Sequence, residues 1–147
     1  MFEIIVVGTD GSETAQRAVE QAVALAGAVG ARLELVSAYE PVSAQRLRRE
    51  RQEVPADMTW MVNAREDVEA TLRSAAEVAE AAGVPTATYA RQGDPADAIL
   101  DVAEERRADL IVVGNKGMTG AKRFLLGSVP NRVSHHAPCS VLIIRTV

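Results

Sequence analysis

Aromatic side chains are scarce: Phe2, Tyr39, Trp60, Tyr89 and Phe124 are the whole supply in 147 residues. Ligand pockets commonly rely on such rings. A small molecule bound here is therefore expected to rest on aliphatic walls and main-chain hydrogen bonds, with Tyr39 or Trp60 as the only stacking partners within reach. Cysteine is nearly missing as well. Cys139 alone excludes a disulfide framework and any multi-cysteine zinc or iron–sulfur site. There is no basic excess; the formal net charge of −4 argues against nucleic acid as a partner. No apolar run approaches the roughly 20 residues needed to span a bilayer. Met1-Phe2-Glu3 opens without a basic region leading into an apolar stretch, so no secretory signal is expected. These absences point to a soluble protein of a reducing compartment, the cytoplasm, with no membrane partner. The length suits one domain over 1–147. A domain of that size buries about 70% of its unfolded surface, enough for a core without metal or disulfide staples.

Short apolar runs alternate with helical patterns. Ile4-Ile5-Val6-Val7 is continuous and β-branched, the signature of a strand buried on both faces of a parallel sheet. Leu33–Val36, Leu110–Val113 and Val141–Ile144 repeat it, and Val84–Tyr89 is a weaker candidate. Between them, Ala15, Ala18, Val19, Ala22, Val23, Ala26 and Val29 mark one helix face, with Ser12 as N-cap and Gly30 as C-terminal stop. Val68, Leu72, Ala75, Ala79 and Ala82 mark a second helix, ended by Gly83. Asp94-Pro95 is an N-cap followed by proline at the first helical position, opening a third helix that buries Ile99, Leu100 and Ala103. A fourth is expected from near Ser128 to His136, closed by Pro138. Strands alternating with helices predict a doubly wound α/β domain with one five-stranded parallel sheet.

The stretch from Glu40 to Met61 stands apart. It is polar and rich in arginine (Arg46, Arg48, Arg49, Arg51), and too long for an ordinary connection. Two readings stay open: a surface excursion running into the second helix, or a lid or partner-contact element anchored by Trp60.

In an open parallel sheet ligands bind beyond the carboxyl ends of the strands, where strand order reverses. After the first strand comes Gly8-Thr9-Asp10-Gly11-Ser12, and after the fourth Gly114-Asn115-Lys116-Gly117-Met118-Thr119-Gly120. Glycines there let the backbone approach a ligand closely. Gly127-Ser128-Val129 opens the fourth helix, and a helix N-terminus is a natural anion site. Ser128 as a plain N-cap is the competing account, as an Asx-turn is for Asp10. Neither G-x-x-x-x-G-K-[ST] nor G-x-G-x-x-G after the first strand occurs. His135 and His136 are adjacent rather than i, i+4, which suits surface histidines better than a metal pair. Cys139 begins a buried strand and reads as a structural thiol.

Gly114-x-x-Gly117, nine residues, then Gly127-Ser128 resembles the nucleotide-binding pattern of the universal stress proteins of ATP-binding type. Val6–Ser12 resembles their first strand and turn, Ala108–Gly114 their fourth strand, and Ala137–Ile143 their last. The resemblance spans the chain apart from the Glu40–Met61 stretch. It implies a Rossmann-like fold of the adenine nucleotide alpha hydrolase-like type, strand order 3-2-1-4-5. It further implies an adenine nucleotide bound by the Gly8 turn, with Asp10 at the ribose hydroxyls and Gly114 beside the ribose. Gly117, Gly127, Ser128 and Val129 would donate to the phosphates, and Thr9, Ala38 and Val113 would lie near the base. Asn115-Lys116 stands where the family often has a small hydroxyl residue followed by arginine or histidine. Lys116 could reach the phosphates as a point charge. The chain also resembles an actinobacterial-looking subgroup in which cyclic AMP is a ligand.

Three functions compete. A signalling or stress-response module binding ATP or cyclic AMP requires no general base. A slow ATPase or phosphotransferase requires Mg²⁺ near the phosphates and a residue orienting water. Asp10 could help with the metal, but no second well-placed carboxylate is evident, and no catalytic residue is assigned. An interaction protein that has lost its nucleotide conflicts with the intact glycine pattern. The apolar stretch 141–147 reads as a terminal edge strand, and covered edges avoid aggregation. Family members commonly pair there, so a homodimer through 141–147 is expected.

Overall fold

The computed structural model describes residues 1–40, 64–115 and 126–146. Beyond Glu40, the 40–61 excursion lies outside the described residues, as do Lys116 and Gly117. The elements run β1 (Ile4–Gly8), α1 (Glu13–Val29), β2 (Arg32–Tyr39), α2 (Arg65–Ala81), β3 (Thr86–Gln92), α3 (Pro95–Glu105), β4 (Leu110–Gly114), α4 (Ser128–His136) and β5 (Ser140–Ile144). All sheet pairings are parallel, in the order β3-β2-β1-β4-β5.

Alternation of side chains along a strand explains the unbroken apolar runs. Ile5 and Val7 of β1, with Leu33, Leu35, Leu110 and Val112, face α1 (Val19, Ala22, Val23) and α2 (Val68, Leu72, Ala79). Val6, with Val36, Ala38, Ile111 and Val113, faces α3 (Ile99, Val102, Ala103) and α4 (Val129, Val133). Helices thus cover both faces, so both parities of a central strand must be apolar. Truncating one of the buried leucines or isoleucines among them to alanine costs on the order of 2–5 kcal/mol.

Helix ends follow local chemistry. Ser12 Oγ accepts the Ala15 N–H at 3.2 Å, and Gly30 caps the far end in the left-handed region at φ 73°. Asp94 Oδ2 accepts the Asp97 N–H at 3.1 Å ahead of Pro95. Two strand limits differ from expectation. The third strand begins at Thr86 rather than Val84, because the Val84 N–H is spent on Ala79 O at 3.0 Å, closing α2, and Pro85 has no N–H to give. The last strand ends at Ile144, where the Val141–Ile144 run ends, so the edge strand read over 141–147 stops short of Thr146. Thr146 instead turns inward and is 1% exposed.

Candidate functional site

β1 and β4 are neighbours, with Val7 opposite Val112, and the order reverses between them. Their carboxyl ends therefore deliver Gly8-Thr9-Asp10 and Val113-Gly114 to one end of the sheet, at the switch point. Ala38 sits on adjacent β2, three residues beyond Leu35, which pairs with Val7. Val113, Ala38 and Val129 share one buried cluster, which ties the N-terminal end of α4 to the same region.

The β1–α1 turn is tightly built. Thr9 donates its N–H to Val36 O at 2.9 Å, prolonging the β1–β2 ladder by one step. Its Oγ1 accepts the Gly11 N–H at 3.2 Å, and Asp10 Oδ1 accepts the Ser12 N–H at 2.9 Å. The Asx-turn account of Asp10 is thus present in the structure. Both Thr9 and Asp10 are buried, at 1% and 5% exposure, which is costly for polar groups without such partners. Gly11 is held at φ 80°, and a Cβ on it would stand 2.9 Å from Thr71 Oγ1. Two constraints, backbone and space, demand glycine there.

At the β4 exit, the Asn115 N–H extends the ladder to Ile144 O at 2.9 Å. Asn115 Oδ1 accepts both the N–H and the Oγ1 hydroxyl of Thr146, at 3.0 and 2.9 Å. The empty side of Gly114 faces Thr146, whose Cγ2 lies 3.1 Å from where a Cβ would be. At α4, Gly127 is the N-cap and Ser128 the first helical residue, with no side-chain capping bond. Ser128 is therefore not the N-cap. The first N–H groups of a helix lack intrahelical acceptors. Pro130 has no N–H, so Ser128 and Val129 carry the amides of that first turn.

A cavity of about 420 Å³ opens between α1 and α2 against the β1–α1 turn, lined among others by Thr9, Gly11, Gln16, Val19, Thr71 and Ala75. Of the described site residues predicted from sequence, it touches Thr9 alone. Among the described residues no group of three or more His, Cys, Asp and Glu side chains is placed to hold a metal ion. His135 and His136 are exposed in the last turn of α4.

Sequence reasoning passed over two features. Glu34 sits inside the Leu33–Val36 run, yet it is fully buried and accepts from Arg32 Nε at 3.1 Å and Arg106 Nε at 3.2 Å. Its Oε2 is buried without a hydrogen-bond partner among the described residues. Arg106, just past the end of α3, is drawn to this carboxylate, while Glu105 pairs with Arg91 at 2.7 Å. Burial, and next the Glu34 carboxylate, push the nearby Tyr89 phenol upward. The charge within an otherwise apolar run was the available signal. The second feature is the Asn115–Thr146 pair, which no local pattern announces.

Comparison with known proteins follows the same geometry. The model of the universal stress protein family matches residues 1–145. Universal stress protein Rv1636 of Mycobacterium tuberculosis is 38% identical over 146 residues, covering 99% of this chain and 97% of that protein. A universal stress protein of Thermus aquaticus is 37% identical over 146 residues, covering 99% and 100%. A crystal structure of a universal stress protein in complex with cAMP superposes with a TM-score of 0.74 at 35% identity, covering 99% of this chain and 98% of that one.

Proposed function

The chain belongs to the universal stress protein family, and on that premise we propose that it binds an adenine nucleotide at the β1/β4 switch point. The observation that carries the reading is the meeting there of Gly8-Thr9-Asp10 and Val113-Gly114. Asp10 takes the ribose hydroxyls, Gly114 lies beside the ribose, and Thr9, Ala38 and Val113 flank the base. Gly127, Ser128 and Val129 donate to the phosphates from a helix end whose dipole favours negative charge. Lys116 and Gly117 complete the phosphate side in this reading. Micromolar binding needs about 8 kcal/mol, within reach of several such hydrogen bonds plus burial of the base.

ATP is the nucleotide implied by the spaced glycine motif. Cyclic AMP is the second reading, favoured by the solved relative in complex with it. The protein acts as a signalling or stress-response module rather than an enzyme. Phosphoryl transfer needs a residue that orients the attacking water. Asp10 is the one carboxylate in the turn and already accepts the Ser12 N–H. It could contribute to Mg²⁺ carried by the phosphates, but no step is assigned to it. The setting is cytoplasmic; no described helix is long and apolar enough to cross a membrane. β5 is an edge strand with Leu142 38% exposed, which supports a homodimer through the 141–147 stretch.

Calorimetric titration with ATP, ADP, AMP and cyclic AMP tests the reading. Saturable micromolar binding of at least one is expected; no heat from any of them refutes it. ATP turnover above background that is lost in Asp10→Ala would move the protein to the slow ATPases.

A further inference from the structure

The segment just past β5 makes contacts that an edge strand does not require. Thr146 is 1% exposed. Its N–H and hydroxyl both donate to Asn115 Oδ1, and its carbonyl accepts Arg17 Nη1 at 2.6 Å. Its methyl fills the space that Gly114 leaves by lacking a side chain. Asn115 is the first residue beyond β4, and Arg17 lies one turn into α1, the helix that opens with the Gly11-Ser12 turn. The chain Arg17–Thr146–Asn115 therefore joins the two limbs of the nucleotide site by a route outside the β1–β4 ladder.

We propose that Asn115, Thr146 and Arg17 are positioning residues that set the spacing of the β1–α1 turn and the β4 exit, and through it the strength of nucleotide binding. The inference rests on the nucleotide reading above. A site built from main-chain N–H groups and short side chains has little reach of its own, so displacement of a limb by a fraction of an ångström is felt directly. One carboxamide oxygen accepting twice from a single residue fixes Asn115 relative to Thr146. The charged Arg17 bond, shorter than a neutral one, fixes Thr146 relative to α1. Gly114 then has a role besides ligand approach: it admits the Thr146 methyl.

The test is titration of the full chain with ATP and with cyclic AMP, for wild type, Asn115→Ala, Thr146→Val and Thr146→Ser. Losing two hydrogen bonds in Asn115→Ala should weaken binding about tenfold, and losing one in Thr146→Val about threefold. Thr146→Ser keeps both donors and should restore near-wild-type affinity. A purely structural tie would lower the melting temperature in the same order without reciprocal coupling. Hydrogen exchange separates the two: coupling is mutual, so nucleotide must slow exchange of the Thr146 amide in the wild type. If Asn115→Ala does not fold, Thr146→Val and the wild-type exchange measurement carry the test. Wild-type affinity in both variants, or Thr146 exchange indifferent to nucleotide, overturns the inference alone. A wild type that binds neither nucleotide overturns the site reading, and this inference with it.

Discussion

Replacing Gly11 by alanine separates backbone strain from crowding at the centre of the β1–α1 turn. At φ 80° an L-residue other than glycine sits in the left-handed region, at a cost of roughly 1–2 kcal/mol. The added Cβ would also stand 2.9 Å from Thr71 Oγ1 and 3.2 Å from Thr71 Cγ2. Relief requires Thr71 to leave its place on α2, which adds about 1 kcal/mol or more, of the order seen for overpacking. Gly11→Ala should therefore lose about 2–3 kcal/mol in urea denaturation. In a Thr71→Ala background the crowding is gone and only the strain remains, so the same change should cost about 1–2 kcal/mol. The difference is a coupling energy of about 1 kcal/mol, measurable by a double-mutant cycle. A Gly11→Ala protein within about 0.5 kcal/mol of wild type, the scatter of ordinary surface changes, would refute the strain argument. Strict additivity with Thr71→Ala would refute the contact.

Glu34 gives a prediction of opposite signs. Its two guanidinium partners are 40% and 43% exposed and are free to turn to water once it is gone. Glu34→Leu should be neutral or stabilising, whereas Arg106→Ala, which takes from the buried carboxylate one of its two described guanidinium partners, should cost about 2–3 kcal/mol in urea melts. Loss of stability in Glu34→Leu larger than in Arg106→Ala would contradict this. Ser12→Ala removes the acceptor for the Ala15 N–H and should destabilise by about 1 kcal/mol, with the loss of helical ellipticity confined to the melting region. Burial, with Asp109 second, pushes the Cys139 thiol up, so alkylation near neutral pH should be slow in the folded protein and fast in urea. The folded state holds that proton more tightly. Its contribution to stability is therefore intact below the ordinary thiol pKa and fades as pH rises through the raised one. Cys139→Ser should flatten that part of the pH–stability curve.

What could be read without the structure follows from how local each cause is. β1 and β4 were legible because burial on both faces leaves no polar alternation, and the Ser12 and Asp94 caps because a cap is written within four residues. β3, paired on one side only and half-buried, has no such run; its start was displaced by the Val84 N–H, which the end of α2 claims. The β1–α1 turn was legible in Gly8-Thr9-Asp10-Gly11-Ser12, but the reason for Gly11 was only half visible. Its φ is a local property, whereas Thr71 belongs to another helix. Glu34 and Arg106 are 72 positions apart, and Asn115 and Thr146 are 31 apart. No periodicity or spacing rule connects such pairs. For the same reason the inward turn of Thr146, which shortens β5, had no signature in the apolar 141–147 stretch.

The central claim is the location of the nucleotide, and amide chemical-shift mapping tests it most directly. On titration with ATP or cyclic AMP, the largest shifts should fall at Gly8, Thr9, Asp10 and Gly11, at Gly114, and at Gly127, Ser128 and Val129. Shifts confined to the α1–α2 cavity around Gln16 and Ala75, with the Gly114 and Gly127 amides unmoved, would contradict the account.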